Sequence, residues 1–218
     1  MVSYAFIHGI SIYQECFINI TEFNYYISEL MKFEIKEENE KSLRFVIDAD
    51  ISVVNAIRRT AANSVQCFAI DRVIFYENTS AMFDEYIAHR IGLVPIKTPS
   101  KGYNESDEII FSLEATGPTT VYSRDLKSTD KDVIVANGNI PIIKLGNEQH
   151  LKIEGKAILG IGMKHAKFQA GLSTFKAISE DKYEFYIESF GQMPPKEILS
   201  KAAETIKERL KEIKKSIK

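Results

Sequence analysis

Hydrophobic and polar residues alternate in several short stretches of this chain, which is the pattern of β-strands that bury one face. Near the start, Leu43, Phe45 and Ile47 alternate with polar or smaller residues, and residues 32–35 show the same alternation. Near the end, the apolar residues of the segment 183–187 alternate with Glu184 and with a tyrosine. Each end of the chain therefore predicts strands.

Two stretches have the spacing of helices that bury one face. The first is expected to begin at a capping side chain, Asp50 or Ser52, and to continue through Val65. Its apolar positions are Val54, Ile57, Ala61 and Val65. The second helix is short and is expected to end at Gly92, with Pro95 beyond it. Its apolar side is expected to consist of Phe83, Ile87 and Ile91.

The middle of the chain, from about Lys97 to Leu172, predicts short strands separated by turns. Apolar residues alternate at 111–113, at 151–157 and from Ala166 to Ala170. Glycine, proline and asparagine residues, which favour turns, separate these stretches. We therefore expect an α+β protein in which a β-rich unit is inserted between the two ends.

The last segment, from Pro195 to Lys218, predicts a helix with one apolar stripe. The spacing of the stripe is that of a coiled-coil seam. Its members are Leu199, Ala203, Ile206, Leu210, Ile213 and Ile217. At about 1.5 Å per residue the helix is roughly 35 Å long, which is more than a small sheet covers. We expect the stripe to pack on a helix of a partner chain; the alternative is that it packs only on the chain's own sheet.

Residues 1–30 differ from the rest because they contain neither Lys nor Arg, and Lys32 is the first of either in the chain. A signal peptide begins with basic residues, and a membrane span has fewer polar interruptions than this stretch. Two interpretations stay open. The stretch is either an appended segment that packs on the body, or it precedes a true translation start at Met31.

Composition narrows the function classes. The chain has 28 Lys and Arg against 30 Asp and Glu, a formal net charge of −2, whereas a protein that binds DNA or RNA mainly through phosphates is usually basic. Its two cysteines, Cys16 and Cys67, are far apart. This argues against a disulfide scaffold or a thiolate metal site built by this chain alone, and predicts a reducing, cytoplasmic setting.

Few residues suggest chemistry. Glu85 and His89 share a face of the short helix, beside Asp84, and form a possible pair of metal ligands or an acid–base pair. A metal needs three or four ligands, so local hydrogen bonding or an interface is the favoured interpretation. Arg58 and Arg59 on the first helix suit a solvated face, a partner contact or, less well, nucleic acid.

Six segments occur in an order that resembles one family, the D subunits of archaeal RNA polymerase. The segments are VNAIRR (54–59), FAIDRVIFYENTSAMFDEYIAHRIGLVPI (68–96), LEATGPTTVYSRDLKS (113–128), IPIIKL (140–145), KHAKFQ (164–169) and FYIESFGQMPPKEIL (185–199). This family is similar to the third-largest subunit of eukaryotic polymerase II and to the bacterial α subunit. The resemblance covers residues 31–218 and leaves residues 1–30 out.

The resemblance implies a fold and a function. It implies a discontinuous dimerisation domain, residues 31–78 and 173–218, with an antiparallel sheet and two helices, interrupted by an inserted β-rich domain at 79–172. The end domain would pair with subunit L, and the pair, with the small subunits N and P, would form the platform on which the large catalytic subunits assemble. The chain itself would be non-catalytic, in a complex that performs nucleotidyl transfer.

The resemblance also assigns roles by residue. The stripe of the last helix would face subunit L. The residues that would face the large subunits, chiefly the second-largest, are Asn55, Arg58, Arg59, Asp84, Glu85, His89, Arg90, His165, Ala166 and Lys167. Some family members carry an iron–sulfur domain after the KHAKFQ segment. From Phe168 to Phe175 this chain has neither a cysteine nor spare length, so we expect no cluster.

Two other functions remain as alternatives. One is a metal-dependent enzyme that uses Glu85 and His89. The other is a module that binds nucleic acid directly, although little direct contact with nucleic acid and none with a membrane are expected.

Overall fold

A computed structural model describes residues 32–217 of the chain. Both interpretations of residues 1–30 concern positions outside this range. The described elements, in chain order, are β1 (Phe33–Glu38), β2 (Ser42–Asp48), α1 (Ile51–Asn63), β3 (Gln66–Asn78), α2 (Asp84–Gly92), β4 (Ile109–Thr116), β5 (Thr119–Tyr122), β6 (Lys127–Ser128), β7 (Pro141–Leu145), β8 (His150–Ile161), β9 (Gly171–Ser179), β10 (Lys182–Ser189) and α3 (Pro195–Ser216).

Both ends of the chain contribute to one antiparallel sheet, whose strand order is β1-β2-β10-β9. Leu43 lies opposite Ile187, and Phe45 lies opposite Phe185. The rings of Phe45 and Phe185 are stacked, with centroids 4.8 Å apart. The alternating residues predicted to be apolar therefore occupy the same face of the sheet, because cross-strand neighbours share a face.

Helix α1 packs on this apolar face. The Asp50 carboxylate accepts a hydrogen bond from the Ser52 N–H at 2.7 Å, which confirms the predicted cap. The helix ends at Asn63, two residues earlier than expected, because Gln66 already begins β3. Val54 and Ala61 are buried, as their spacing predicted.

The middle of the chain forms a second four-stranded sheet, with the order β3-β8-β4-β6, and a two-stranded sheet of β5 and β7. Phe111, Leu113 and Ile153 are buried between these strands and α2. One hydrophobic cluster lies within residues 68–157, and another combines residues 43–67 with 170–202. The fold is α+β with antiparallel sheets. The dimerisation role and the predicted domain bounds remain predictions.

Two local expectations were wrong. Phe83 precedes α2 and points to solvent, whereas Ile87 and Ile91 are buried as expected. The alternating segment Ala166–Ala170 is not a strand, since Ala166–Phe168 forms a single 3₁₀ turn and β9 begins at Gly171. Phe168 is nevertheless buried. The alternation therefore predicted the burial of this side chain correctly and the backbone conformation of the segment incorrectly.

A buried polar junction joins the two hydrophobic clusters. The Phe68 N–H donates to the Thr98 hydroxyl at 2.9 Å, and the Thr98 N–H donates to the Gln192 carbonyl oxygen at 2.8 Å. The Gln192 side-chain amide then donates to the Gln169 carbonyl oxygen at 2.9 Å. These bonds link β3, the loop before β4, and the loop between β10 and α3.

Candidate interaction surfaces

The first half of α3 belongs to the core of the chain. Ile198 and Ala202 are fully buried, and Leu199 packs against the same cluster. Further along the helix, the Arg209 guanidinium donates to the Ser64 hydroxyl at 3.1 Å, which ties α3 to the end of α1. The fully buried residues of the helix, Ile198 and Ala202, each come one residue before a member of the predicted stripe, Leu199 and Ala203. The chain therefore covers a side of the helix next to the stripe.

The second half of α3 leaves its apolar stripe uncovered. The exposed fraction is 55% for Leu210, 56% for Ile213 and 81% for Ile217. Ala203 is also exposed and Ile206 is partly buried. A solvated helix would normally carry polar residues at such positions, so this half has an apolar face without a cover in the described chain.

The alternating stretch 32–35 was predicted as a strand, but sequence reasoning did not identify its two apolar residues, on the edge strand β1, as a candidate surface. Phe33 lies opposite Ile47 and Ile35 lies opposite Phe45, so both point to the side of the sheet that carries the core. Each is close to half exposed, although the Phe33 ring contacts the Phe45 ring with centroids 4.8 Å apart. The alternation of these residues with Glu34 and Lys36 was the signal that their side faces apolar surroundings.

The predicted contact residues of α1 lie together on one helix face. The Asn55 side-chain amide donates to the Ile51 carbonyl oxygen at 3.1 Å, and its oxygen accepts weak contacts of 3.4 Å from the Arg58 guanidinium. Arg59 is exposed. The surface can therefore present guanidinium donors to carboxylates or carbonyls.

Helix α2 carries acidic residues in its first turn and basic residues in its last turn, an order that suits the helix dipole. Asp84 accepts a hydrogen bond from the Asn78 side chain at 2.7 Å, and the Arg90 guanidinium donates to the Pro141 carbonyl oxygen at 2.6 Å. Glu85 and His89 are both exposed. Among residues 32–217, no three His, Cys, Asp or Glu side chains are grouped so that they could hold a metal ion.

A groove of about 220 Å³ brings two of the predicted groups together. His89 of α2 and His165 and Lys167 of the 3₁₀ turn line it, next to Asp71 of β3. The Lys167 ammonium lies 2.8 Å from the Asp71 carboxylate and is largely shielded from solvent. The His165 ring nitrogen Nδ1 accepts from the Lys167 N–H at 3.1 Å. Asn55, Arg58 and Arg59 do not line this groove.

The thiol of Cys67 is not part of any of these surfaces. Burial raises the pKa of this thiol to about 12, an effect that outweighs the opposite influence of the nearby Lys201 ammonium. A thiol of this kind is a poor nucleophile and a poor metal ligand.

No helix within residues 32–217 is both long and apolar enough to cross a lipid bilayer.

Comparison with known proteins gives consistent matches. The profile of the RNA polymerase Rpb3/RpoA insert domain matches residues 73–182. The DNA-directed RNA polymerase subunit Rpo3 of Methanocaldococcus jannaschii is 48% identical over 84% of this chain and 92% of its own length. The Rpo3 proteins of Thermococcus kodakarensis and Halobacterium salinarum are 44% and 40% identical over 69% and 64% of this chain. The matched regions span only 61% and 56% of those two longer relatives.

Proposed function

Because this chain belongs to the archaeal Rpo3 family of DNA-directed RNA polymerase subunits, we propose that it is a non-catalytic assembly subunit of that polymerase in the cytoplasm. It pairs with a smaller subunit, L, through α3. The pair, together with the small subunits N and P, is the platform for the large subunits. Phosphodiester synthesis takes place on the large subunits.

The exposed stripe of α3 carries this proposal. Leu210 and Ile213, with Ile217 directly after the last residue of the helix, lie beyond the part that the chain's own core covers. Burying a Leu or Ile side chain contributes about 1.5–3 kcal/mol, so a partner helix that covers these three gains several kcal/mol. Phe33 and Ile35 of β1 are further exposed apolar residues on the side of the sheet that carries the core. Permanent interfaces of this kind are apolar and often exceed about 2,000 Å².

The α1 surface and the groove beside α2 are the proposed contacts of the large subunits. Arg58 and Arg59 on α1, and Arg90 on α2 outside this groove, present guanidinium groups, which form directional hydrogen bonds to carboxylates. These surfaces lie on elements other than α3, so one chain can hold subunit L and a large subunit at the same time.

Substitution of Leu210 by Asp tests the pairing with L. Leu210 is exposed in the single chain, so Leu210→Asp leaves the fold intact, yet it places a carboxylate in the middle of the proposed interface, where an unpaired charge is costly. We expect the co-expressed variant and subunit L to elute separately in size-exclusion chromatography. Lys215→Asp, on the opposite face of the same helix, is the matched control and should elute with L. A Leu210→Asp chain that still elutes as a heterodimer contradicts the proposal.

Charge reversal on α1 tests the second surface. Arg58→Glu combined with Arg59→Glu should leave the heterodimer with L intact and weaken its pull-down of the second-largest subunit, because like charges then face the partner's carboxylates. Arg72→Glu, at a strongly exposed arginine of β3, is the control for a general charge effect. Undiminished recruitment by the α1 variant removes this surface from the proposal.

We also propose that the chain carries no iron–sulfur cluster. Only two residues separate the turn at Ala166–Phe168 from β9, and Cys67, the cysteine among residues 32–217, is buried. Iron analysis of anaerobically purified protein tests this, since stoichiometric iron with a visible absorbance band would contradict it. No observation on these residues favours a metal-dependent enzyme or direct nucleic-acid binding.

A further inference from the structure

Helix α2 has two apolar faces, of which the chain covers only one. Ile87 and Ile91 are fully buried in the middle core. On the outward side, Phe83 is 72% exposed and Tyr86 is 65% exposed. Leu93, directly after the last residue of the helix, is also exposed. With Arg90 between Tyr86 and Leu93, these outward positions follow the 3-4-3 spacing of a single helical stripe.

The outward residues form a patch rather than scattered exceptions. The rings of Phe83 and Tyr86 lie 6.3 Å apart, and a groove beside them is lined further by Met82 and Ile143. Single exposed hydrophobic residues are ordinary on protein surfaces, whereas a contiguous group marks an interaction site. At such sites a few residues contribute most of the binding free energy, and Tyr and Arg are among the types enriched there.

The rim of the groove is basic. His89, Arg90 and Lys144 line it together with the aromatic residues. The Arg90 guanidinium donates one hydrogen bond to the Pro141 carbonyl oxygen at 2.6 Å. Its other N–H groups can donate to a ligand. Lys144 has no ion-pair partner within residues 32–217, whereas many other lysines of the same range are paired. A carboxylate on the occupant complements this rim.

Two observations disfavour a nucleic acid as the occupant. Asp84 and Glu85 lie at the other end of the same short helix, so a phosphate backbone along α2 would meet carboxylates. The chain as a whole also has a net charge of −2.

We propose that the outward face of α2, formed by Phe83, Tyr86, Arg90 and Leu93 with Lys144 beside them, docks an apolar segment of the second-largest polymerase subunit that carries at least one carboxylate. Phe83 and Tyr86 are the anchors, and Arg90 and Lys144 bind the carboxylate. This inference rests on the proposed function and adds to it the chemistry of the partner surface.

The experiment uses the heterodimer of this chain with subunit L, and the purified second-largest subunit of the same polymerase as the probe. Phe83→Ser and Tyr86→Ser should each raise the Kd about tenfold or more, since both residues are exposed and their loss leaves the fold intact. Tyr76→Ser is the matched control, because Tyr76 is 60% exposed on β3 outside the patch, and it should change the Kd less than about twofold. Lys144→Glu should weaken binding and reduce its dependence on salt.

The outcomes separate this inference from the proposed function. If the heterodimer forms and Phe83→Ser and Tyr86→Ser bind the probe as the wild type does, the inference is overturned and the proposed pairing with L stands. If no heterodimer forms, the proposed function fails. Loss of self-association in Tyr86→Ser, seen by sedimentation with unchanged probe binding, would identify a second copy as the occupant and overturn the inference. If Phe83→Ser or Tyr86→Ser weakens binding of single-stranded DNA but leaves binding of the probe unchanged, the inference is also overturned.

Discussion

At the scale of single residues, the role of a side chain was predictable where it depends on residues close to it in sequence. The cap at Asp50 followed from residue type and position, and the structure confirms it. The environment of Cys67 was not predictable, because its burial results from β3 packing under α1 and α3, far apart in sequence. The proximity of His89 to His165 and Lys167 was equally hidden, since no periodicity connects a helix with a distant turn.

Cys67 should resist thiol reagents in the folded protein. Burial raises its pKa to about 12 from an ordinary value of 9.0, so the reactive thiolate is scarce at pH 8. In a Cys16→Ser background, Ellman's reagent should release colour only after urea is added. Because burial disfavours the thiolate, the free energy of unfolding falls as the pH rises from 9 towards 12, where the unfolded chain has lost this proton and the folded chain still holds it. Rapid reaction of the native protein at pH 8 would show that the thiol is not shielded.

At the scale of elements, the strands of both ends and helix α3 were predictable because their hydrophobic periods are long and regular. The segment Ala166–Ala170 was not, since a turn that buries Phe168 mimics the alternation of a strand. The spacing of apolar residues along α3 predicted the stripe whose second half is exposed, but it did not predict which side of the helix packs on the chain's own sheet. Ile198 and Ala202 fall outside the heptad, and only the position of the sheet shows that they face it.

The two sides of α3 should respond differently to the same substitution. Ile198→Ala removes a side chain from the core, which should lower the free energy of unfolding by about 2–5 kcal/mol. Ile213→Ala changes an exposed residue of the same type on the same helix and should lower it by less than about 0.5 kcal/mol. Urea unfolding of the single chain at low micromolar concentration measures both. Equal losses would mean that the chain covers its own stripe.

At the scale of the whole molecule, the α+β class and the short strands in the middle of the chain were predictable in outline from hydrophobic alternation and turn residues. The polar junction that joins the two cores was not. Thr98 and Gln192 are buried, and nothing in their local sequence indicates that one donates to the other's carbonyl oxygen. The outward aromatic face of α2 was not predictable either, because it depends on Ile87 and Ile91 occupying the face of the helix that packs on the core.

The junction should make a measurable contribution to stability. Thr98→Val keeps the shape of the side chain but leaves the buried Phe68 N–H without its acceptor, which should cost about 1–3 kcal/mol. Thr174→Val, at an exposed position of β9, is the control and should cost less than about 0.5 kcal/mol. Thermal and urea unfolding followed by circular dichroism give both values. An unchanged stability for Thr98→Val would mean that water replaces the lost acceptor.

The strand order β1-β2-β10-β9 has a consequence for how the chain acquires its shape. Strand β2 receives one neighbour at once from β1, but its other neighbour, β10, arrives only after the whole middle has been synthesised. Contacts between such distant segments form slowly, because a long loop must close before they are made. Once β3 and β8 have paired, however, their ends hold β2 and β9 near each other and shorten that search. We therefore expect the middle to form early in folding, and a substitution that slows its collapse should delay the appearance of the surface on α3.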